Sequence, residues 1–414
     1  MVSSLLAACS SDDREEVRFI FYKREALDFM SEVVRDYNAS QSEYEVIFDT
    51  SGLDPLSASF VRGNPPDIML VNYNMEVARF VDRCTLSDLS GTTAAPRIRE
   101  DLIPLVDQYG VCEGRTSALP YSVMAASVIY NKEMFDEHDL EVPQTWDELI
   151  QVSETLQAAG IDPFYATFGD DWTVGQGWYD YAVGSSIDVL EFFNQLAEQG
   201  TEVGPDSAVS FQNDFLEPME KISEIAENYV NSDAPSRTYN DGNTRFANGG
   251  GAMYLQGPWA FSEIAKTDPD LELGTFPLPM TNDPDDLKVR VNLDLAAMIP
   301  EDANNPEGAF DFLEFIFQPE TILAYNESQL GFTPTTEAPD PSDPRIEGMI
   351  GYYDDGAIYQ GPSVLVPRAI PSMNYAQEML LSRNPLPTLR TMDSDWARIV
   401  FREPQTSTET QESE

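Results

Sequence analysis

The chain has 414 residues, 42% hydrophobic and 23% charged, the make-up of an ordinary globular protein too long for one typical core, so two compact lobes are expected. Its formal net charge is −48, with 72 acidic side chains against 24 cationic ones. A surface of that sign repels nucleic acid and anionic lipid headgroups, which removes both as partners. Solubility in an exposed or salty location accounts for the charge. Attraction of a cationic ligand is the sharper reading, and surface charge alone does not establish it.

No apolar run approaches the 18 or so residues that a membrane-spanning helix needs. At the N-terminus, Leu6-Ala7-Ala8-Cys9 precedes the polar run Ser10-Ser11-Asp12-Asp13. That order resembles a bacterial lipobox, in which the cysteine becomes lipidated, so residues 1–12 read as lipobox and tether with Cys9 as the anchor. The apolar stretch ahead of it is short for a full signal peptide, leaving a start further upstream or a chance match as the two readings. Membrane association is expected only through that lipid. Two cysteines then remain, Cys84 and Cys112. In an exported chain this suggests one disulfide, with two reduced thiols as the alternative. No further ligand set accompanies them, so no metal site is expected.

Arg18-Phe19-Ile20-Phe21-Tyr22 has the aromatic and β-branched content of a strand. Phe29, Met30, Val33, Val34 and Tyr37 follow at helical spacing. Strands are predicted again at 45–49 and, after the turn Gly63-Asn64-Pro65-Pro66, at 67–71. Strands alternating with helices imply an α/β fold with a parallel sheet, and ligands bind such sheets at the carboxyl ends of strands. Tyr22, Lys23, Asn72 and Tyr73 occupy those ends and are candidate ligand contacts. Thr145 with Glu148 forms a capping box that starts a helix. Helices are also predicted over 186–199 and 217–229, a strand over 294–299, and a helix from Pro306 with Phe310, Leu313 and Phe317 on one side. The tail 404–414 is rich in Thr, Glu, Gln and Ser and reads as disordered.

Several segments together carry a resemblance. These are Gly63-Asn64-Pro65-Pro66-Asp67-Ile68, then Ala118-Leu119-Pro120-Tyr121 with the following Val128 to Phe135, and Pro143-Gln144-Thr145-Trp146-Asp147-Glu148-Leu149. Phe246 to Tyr254 with Gly257-Pro258-Trp259 completes the set, in order along nearly the whole chain. The chain resembles the maltose-binding-protein-like family of extracellular solute-binding proteins of ABC sugar importers. The resemblance implies a type II two-lobe fold with discontinuous lobes and a hinge cleft. The first lobe is expected from 13–122 and 279–320, the second from 123–278 and 321–403. The implied partners are a carbohydrate, with an oligosaccharide expected, and a membrane permease; a monomer without cofactor is expected at the outer face of the cell membrane.

A neutral sugar offers apolar C–H faces to aromatic planes and hydroxyl pairs to planar polar groups. The family stacks sugar on the tryptophan that matches Trp259, and often sets carboxylates around a ring as Asp170, Asp171 and Trp172 stand here. Tyr121 lies beside the first crossover, Asn292 and Asp294 flank the start of a returning strand, and Tyr375 stands in a late loop where the family often supplies an aromatic. Where many relatives have a first-strand tryptophan, this chain has Tyr22, which implies a smaller or displaced stacking platform. Asp67 is expected to orient its turn rather than touch ligand.

An enzyme is the competing class. The single histidine, His138, sits in a polar run at a helix end, and nothing identifies partners for it as base or metal ligand. The phosphate loop, H-E-x-x-H and nucleophile-elbow patterns do not occur. Gly249-Gly250-Gly251 reads as a tight turn. Acidic pairs are too abundant to single out a glycosidase. A non-enzymatic binder leads; a secreted glycan-acting enzyme and a binder of a cationic solute such as a polyamine or peptide are the alternatives.

Overall fold

The computed structural model describes residues 14–337 and 341–402. The lipobox with Cys9 and the tail 404–414 lie outside the described residues. The strands run in chain order as β1 (Glu15–Ile20), β2 (Tyr44–Asp49), β3 (Ile68–Asn72), β4 (Leu119–Asn131), β5 (Phe164–Tyr165), β6 (Met253–Gln256), β7 (Leu273–Phe276), β8 (Val289–Met298) and β9 (Ile358–Tyr359). The described residues divide into two compact units, the first drawn from 14–73, 77–123 and 293–337, the second from 74–76, 124–292 and 341–402.

In the first unit β1 pairs in parallel with β2, Val17 opposite Val46, and with β3, Phe19 opposite Ile68. The sheet is not wholly parallel: β8 joins β3 antiparallel, Leu70 opposite Ala297. The helix Leu27–Ser40 buries Met30, Val33, Val34 and Tyr37, while Phe29 is only partly buried. Pro306 and the Asn305 side chain, which accepts from the Gly308 N–H at 2.9 Å, start the helix Pro306–Ile316. Its Phe312 meets the Phe19 and Tyr37 rings edge-on at 5.0 and 4.9 Å. Losing that ring in a Phe312→Ala variant costs about 3–5 kcal/mol of stability.

Two of the unit boundaries fall later than the expected positions 278 and 320. Strand β8 runs unbroken through the boundary between Asn292 and Leu293. The helix Pro319–Gln329 places Ile322 and Tyr325 in the first unit's core, which carries that unit well past residue 320. The first unit also contains the disulfide between Cys84 and Cys112, whose Cα atoms are 5.4 Å apart. Asp67 accepts from the Arg18 N–H at 2.7 Å and from the Asn305 N–H at 2.8 Å, fastening its turn to β1 and to the start of a helix.

In the second unit β6 lies between β4, antiparallel with Val128 opposite Leu255, and β5, parallel with Phe164 opposite Met253. Strand β7 pairs with β4, and the opening of β8 pairs with β9. The helix Trp146–Ala158 starts on a complete capping box: Thr145 Oγ1 accepts from the Glu148 N–H, and Glu148 returns a carboxylate oxygen to the Thr145 N–H. Helices Val189–Gln199 and Leu216–Asn228 follow with amphipathic burial. A buried ion pair joins Arg290 Nη2 to Asp180 Oδ2 at 2.8 Å, and the Ser363 N–H donates to the other oxygen at 2.8 Å. Gly249 has φ +75°, the left-handed conformation of a tight turn, and the Gly250 N–H closes back on the Arg245 carbonyl. Among the described residues no helix is long and apolar enough to cross a membrane, and no group of three or more His, Cys, Asp or Glu could hold a metal.

Candidate functional site

In the first unit, strand β1 ends at Ile20, two residues short of the expected end, so Tyr22 and Lys23 belong to the segment beyond it. Lys23 is buried, and its Nζ donates to Asp294 Oδ2 at 2.5 Å with Glu25 Oε1 at 3.6 Å. Burial alone lowers a lysine pKa, but Asp294 and then Glu25 outweigh it and hold the ammonium above its ordinary range. Asn72, the last residue of β3, donates its amide to the Asp294 carbonyl at 3.0 Å and to Asp294 Oδ1 at 3.1 Å. Asp294 lies inside β8 rather than at its start. Three expected site residues from three chain segments, Lys23, Asn72 and Asp294, therefore form one polar cluster. Tyr22 stands next to it in the chain, half-buried, and burial pushes its hydroxyl up to about 12.

Two tyrosines of this unit face inward. Tyr73 is buried, its ring 5.5 Å from Tyr109 and its hydroxyl donating to the Val106 carbonyl at 2.9 Å. Tyr121 is fully buried among Phe317 and Tyr325 in the core, and burial raises its pKa. The Tyr73 N–H donates to the Asp294 carbonyl at 3.3 Å, so its backbone touches the Lys23 cluster while its ring and hydroxyl are turned to Tyr109 and Val106. Both tyrosines are expected from sequence as ligand contacts, Tyr73 from its place at a strand end and Tyr121 from its place beside the first crossover. Neither position tells in sequence whether the ring faces the core; Tyr121 lies inside β4.

The second unit gathers aromatic rings. Trp259 opens the helix Trp259–Ala265 half-buried, and its Nε1 donates to Gln256 Oε1 at 3.1 Å. The ring lies over Gly257, where an added Cβ would come within 2.2 Å of it, so the glycine is what lets the indole fold back there. Trp172 lies in a short helical turn, Asp171–Thr173, rather than in open loop. Its ring meets Tyr239 edge-on at 4.8 Å. Asp170 Oδ2 accepts from the Tyr239 N–H at 2.7 Å, and Asp171 Oδ2 accepts from the Asn374 amide at 2.7 Å. The Tyr239 hydroxyl donates to the Trp259 carbonyl at 3.2 Å.

Thus Asp170, Asp171, Trp172 and Trp259 come together through two residues that sequence reading missed, Tyr239 and Asn374. Tyr375 does not join them. It lies in the helix Ser372–Ser382, not in a loop, and its hydroxyl donates to Asp395 Oδ2 at 2.7 Å. Asn292 lies inside β8 with its amide facing Arg290; turned so that its oxygen meets the guanidinium, it would accept from Nη1 and Nη2 at 2.9 and 2.6 Å. His138 follows the helix Lys132–Glu137, its N–H donating to the Phe135 carbonyl. Rings with half-open faces, flanked by carboxylate and amide groups, suit a ligand that presents C–H faces and hydroxyls in alternation.

Two α/β units, one with a polar side-chain cluster and the other with half-buried rings flanked by carboxylate and amide groups, have the make-up of a solute-binding protein. The chain belongs to the bacterial extracellular solute-binding protein family, whose model matches residues 26–322. It is 23% identical over 337 residues to the multiple sugar-binding protein of Streptococcus mutans, covering 78% of each chain. It is 22% identical over 259 residues to the maltotriose-binding protein of Pyrococcus abyssi, 61% of this chain and 51% of that one. Among solved structures, the solute-binding protein RafE in complex with raffinose superposes with a TM-score of 0.81 at 20% identity, over 93% of this chain and 99% of that one. A sugar transporter protein from Bacillus licheniformis in complex with stachyose gives 0.75 at 17% identity, over 93% and 100%. These likenesses share the fold of two-lobe solute-binding proteins. The family and these relatives are binding proteins, not enzymes.

Proposed function

We propose that this chain captures a carbohydrate, most simply a neutral oligosaccharide, and delivers it to the permease of an ABC importer. It works as a monomer held at the outer face of the cell membrane by a lipid on Cys9. The observation that carries the reading is the indole of Trp259, left half-exposed while Gln256 holds its N–H and Gly257 leaves room for its ring. A tryptophan held in this way offers a flat apolar plane, the surface that stacks on a sugar's C–H face. Trp172 with Asp170 and Asp171 adds a second ring and two hydroxyl acceptors. Family membership and the sugar ligands named for its relatives point the same way. Lys23, Asn72 and Asp294 are the polar side chains that would fork onto hydroxyl pairs.

Calorimetric titration of the purified chain against raffinose, stachyose, maltotriose, a polyamine and a short peptide tests this. Stoichiometric binding of a sugar, with the sugar recovered intact, is the expected result. Tight binding of the polyamine or peptide with none of the sugars, or cleavage of a sugar, would contradict it. Replacement of Cys9 by alanine is expected to release the protein from membranes into the medium.

A further inference from the structure

Tyr239 touches three separate parts of the aromatic group at once. Its N–H donates to Asp170 Oδ2, its ring meets Trp172 edge-on, and its hydroxyl donates to the Trp259 carbonyl. It is also the first residue of the helix Tyr239–Ala247. That helix is fixed by its own capping box, in which Thr238 Oγ1 accepts from the Asp241 N–H and Asp241 Oδ2 accepts from the Thr238 N–H and hydroxyl. The position of Tyr239 is therefore set by the start of its helix, independently of the two tryptophans it contacts.

We infer that Tyr239 is a positioning residue that holds Trp172 and Trp259 in one preformed arrangement before ligand arrives. Rings already held in place lose little conformational freedom on binding, so more of the contact energy appears as affinity. Gln256 supports the same arrangement from the other side by accepting the Trp259 indole N–H. The consequence for affinity rests on the carbohydrate reading above. The consequence for ring position does not.

The chain has five tryptophans, so incorporation of 5-fluorotryptophan gives five fluorine resonances, assigned by single Trp→Phe replacements. In the ligand-free protein Tyr239→Phe keeps the ring beside Trp172 and removes only the hydroxyl, and it is expected to move the Trp259 resonance alone. Tyr239→Ala is expected to move the Trp172 and Trp259 resonances and leave those of Trp146, Trp178 and Trp396 in place. For raffinose, or whichever sugar of the panel the parent binds, affinity should fall no more than about threefold in the first variant and about tenfold or more in the second. Unmoved Trp172 and Trp259 resonances in Tyr239→Ala would overturn the inference, as would unchanged affinity in a parent that binds sugar. Should the alanine variant misfold, all five resonances move, and Tyr239→Leu with Tyr239→Phe decides in its place. A parent that binds no sugar defeats the functional reading, while the fluorine resonances still decide the positioning role.

Discussion

The two units hold their candidate ligand-facing groups in different ways. In the first, charge is internally matched: Lys23, itself buried, pairs with Asp294 and Glu25, and Asn72 with Asp294, in a cluster whose other members are partly exposed. In the second, Gln256 holds the Trp259 indole N–H, the Tyr239 hydroxyl holds the Trp259 carbonyl while its ring meets Trp172 edge-on, and Asn374 holds the neighbouring Asp171. The difference teaches that a side chain can be tested for stability or for binding according to what holds it. A paired charge carries much of its energy in the fold and offers a ligand only its remaining hydrogen-bonding capacity, whereas a ring with an open face keeps its energy for a ligand.

The contrast breaks most visibly at Lys23. Lys23→Met leaves Asp294 in place without its cation, and chemical unfolding should show a loss of about 3–5 kcal/mol. Because the Lys23 pKa is raised above 10.5 in the folded state, its contribution is complete below that pH and is lost as the pH rises through the folded value. The deficit of the variant should therefore be equal at pH 6 and pH 9 and shrink only in stronger alkali; a deficit that changes between pH 6 and pH 9 would refute the pairing.

Reduction of Cys84 and Cys112 comes next. The bond spans a separation of 28 residues. In the chain-entropy model its loss costs about 3–4 kcal/mol. It lies in the first unit, so hydrogen exchange should quicken there, with the fluorine resonances of Trp172 and Trp259 unchanged.

Tyr22 sharpens the comparison in alkali. Its hydroxyl holds its proton to about pH 12 in the fold, against 10.0 in the open chain. Between those values the unfolded chain binds fewer protons, so stability falls as the pH rises. Tyr22→Phe should flatten part of that fall, and an unaltered slope would count against the burial of this group. Smallest is Tyr375→Phe, which removes the bond to Asp395 and should cost about 1 kcal/mol of stability with no change in sugar affinity.

Much of the scaffold was legible because its signals are local. The Thr145 and Glu148 capping box lies within four residues, and the helix over Leu27–Ser40 announces itself by the spacing of Met30, Val33, Val34 and Tyr37. Gly257-Pro258-Trp259 likewise combines the space and the ring in three adjacent positions. The site was legible only in pieces, since its joins are remote in the chain. Lys23 meets Asp294 across 271 positions, and Tyr239 meets Asp170 across 69. Tyr73, Tyr121 and Tyr375 show the complementary failure: sequence supplies a tyrosine, and only packing decides whether its hydroxyl turns to a carbonyl, the core or Asp395.

The most direct test of the central claim is calorimetry of Trp259→Ala beside the parent, with the sugar the parent binds. The account predicts a loss of about 2–3 kcal/mol, roughly 30- to 150-fold in affinity, with the melting temperature little changed. Unchanged affinity in a folded variant would contradict it.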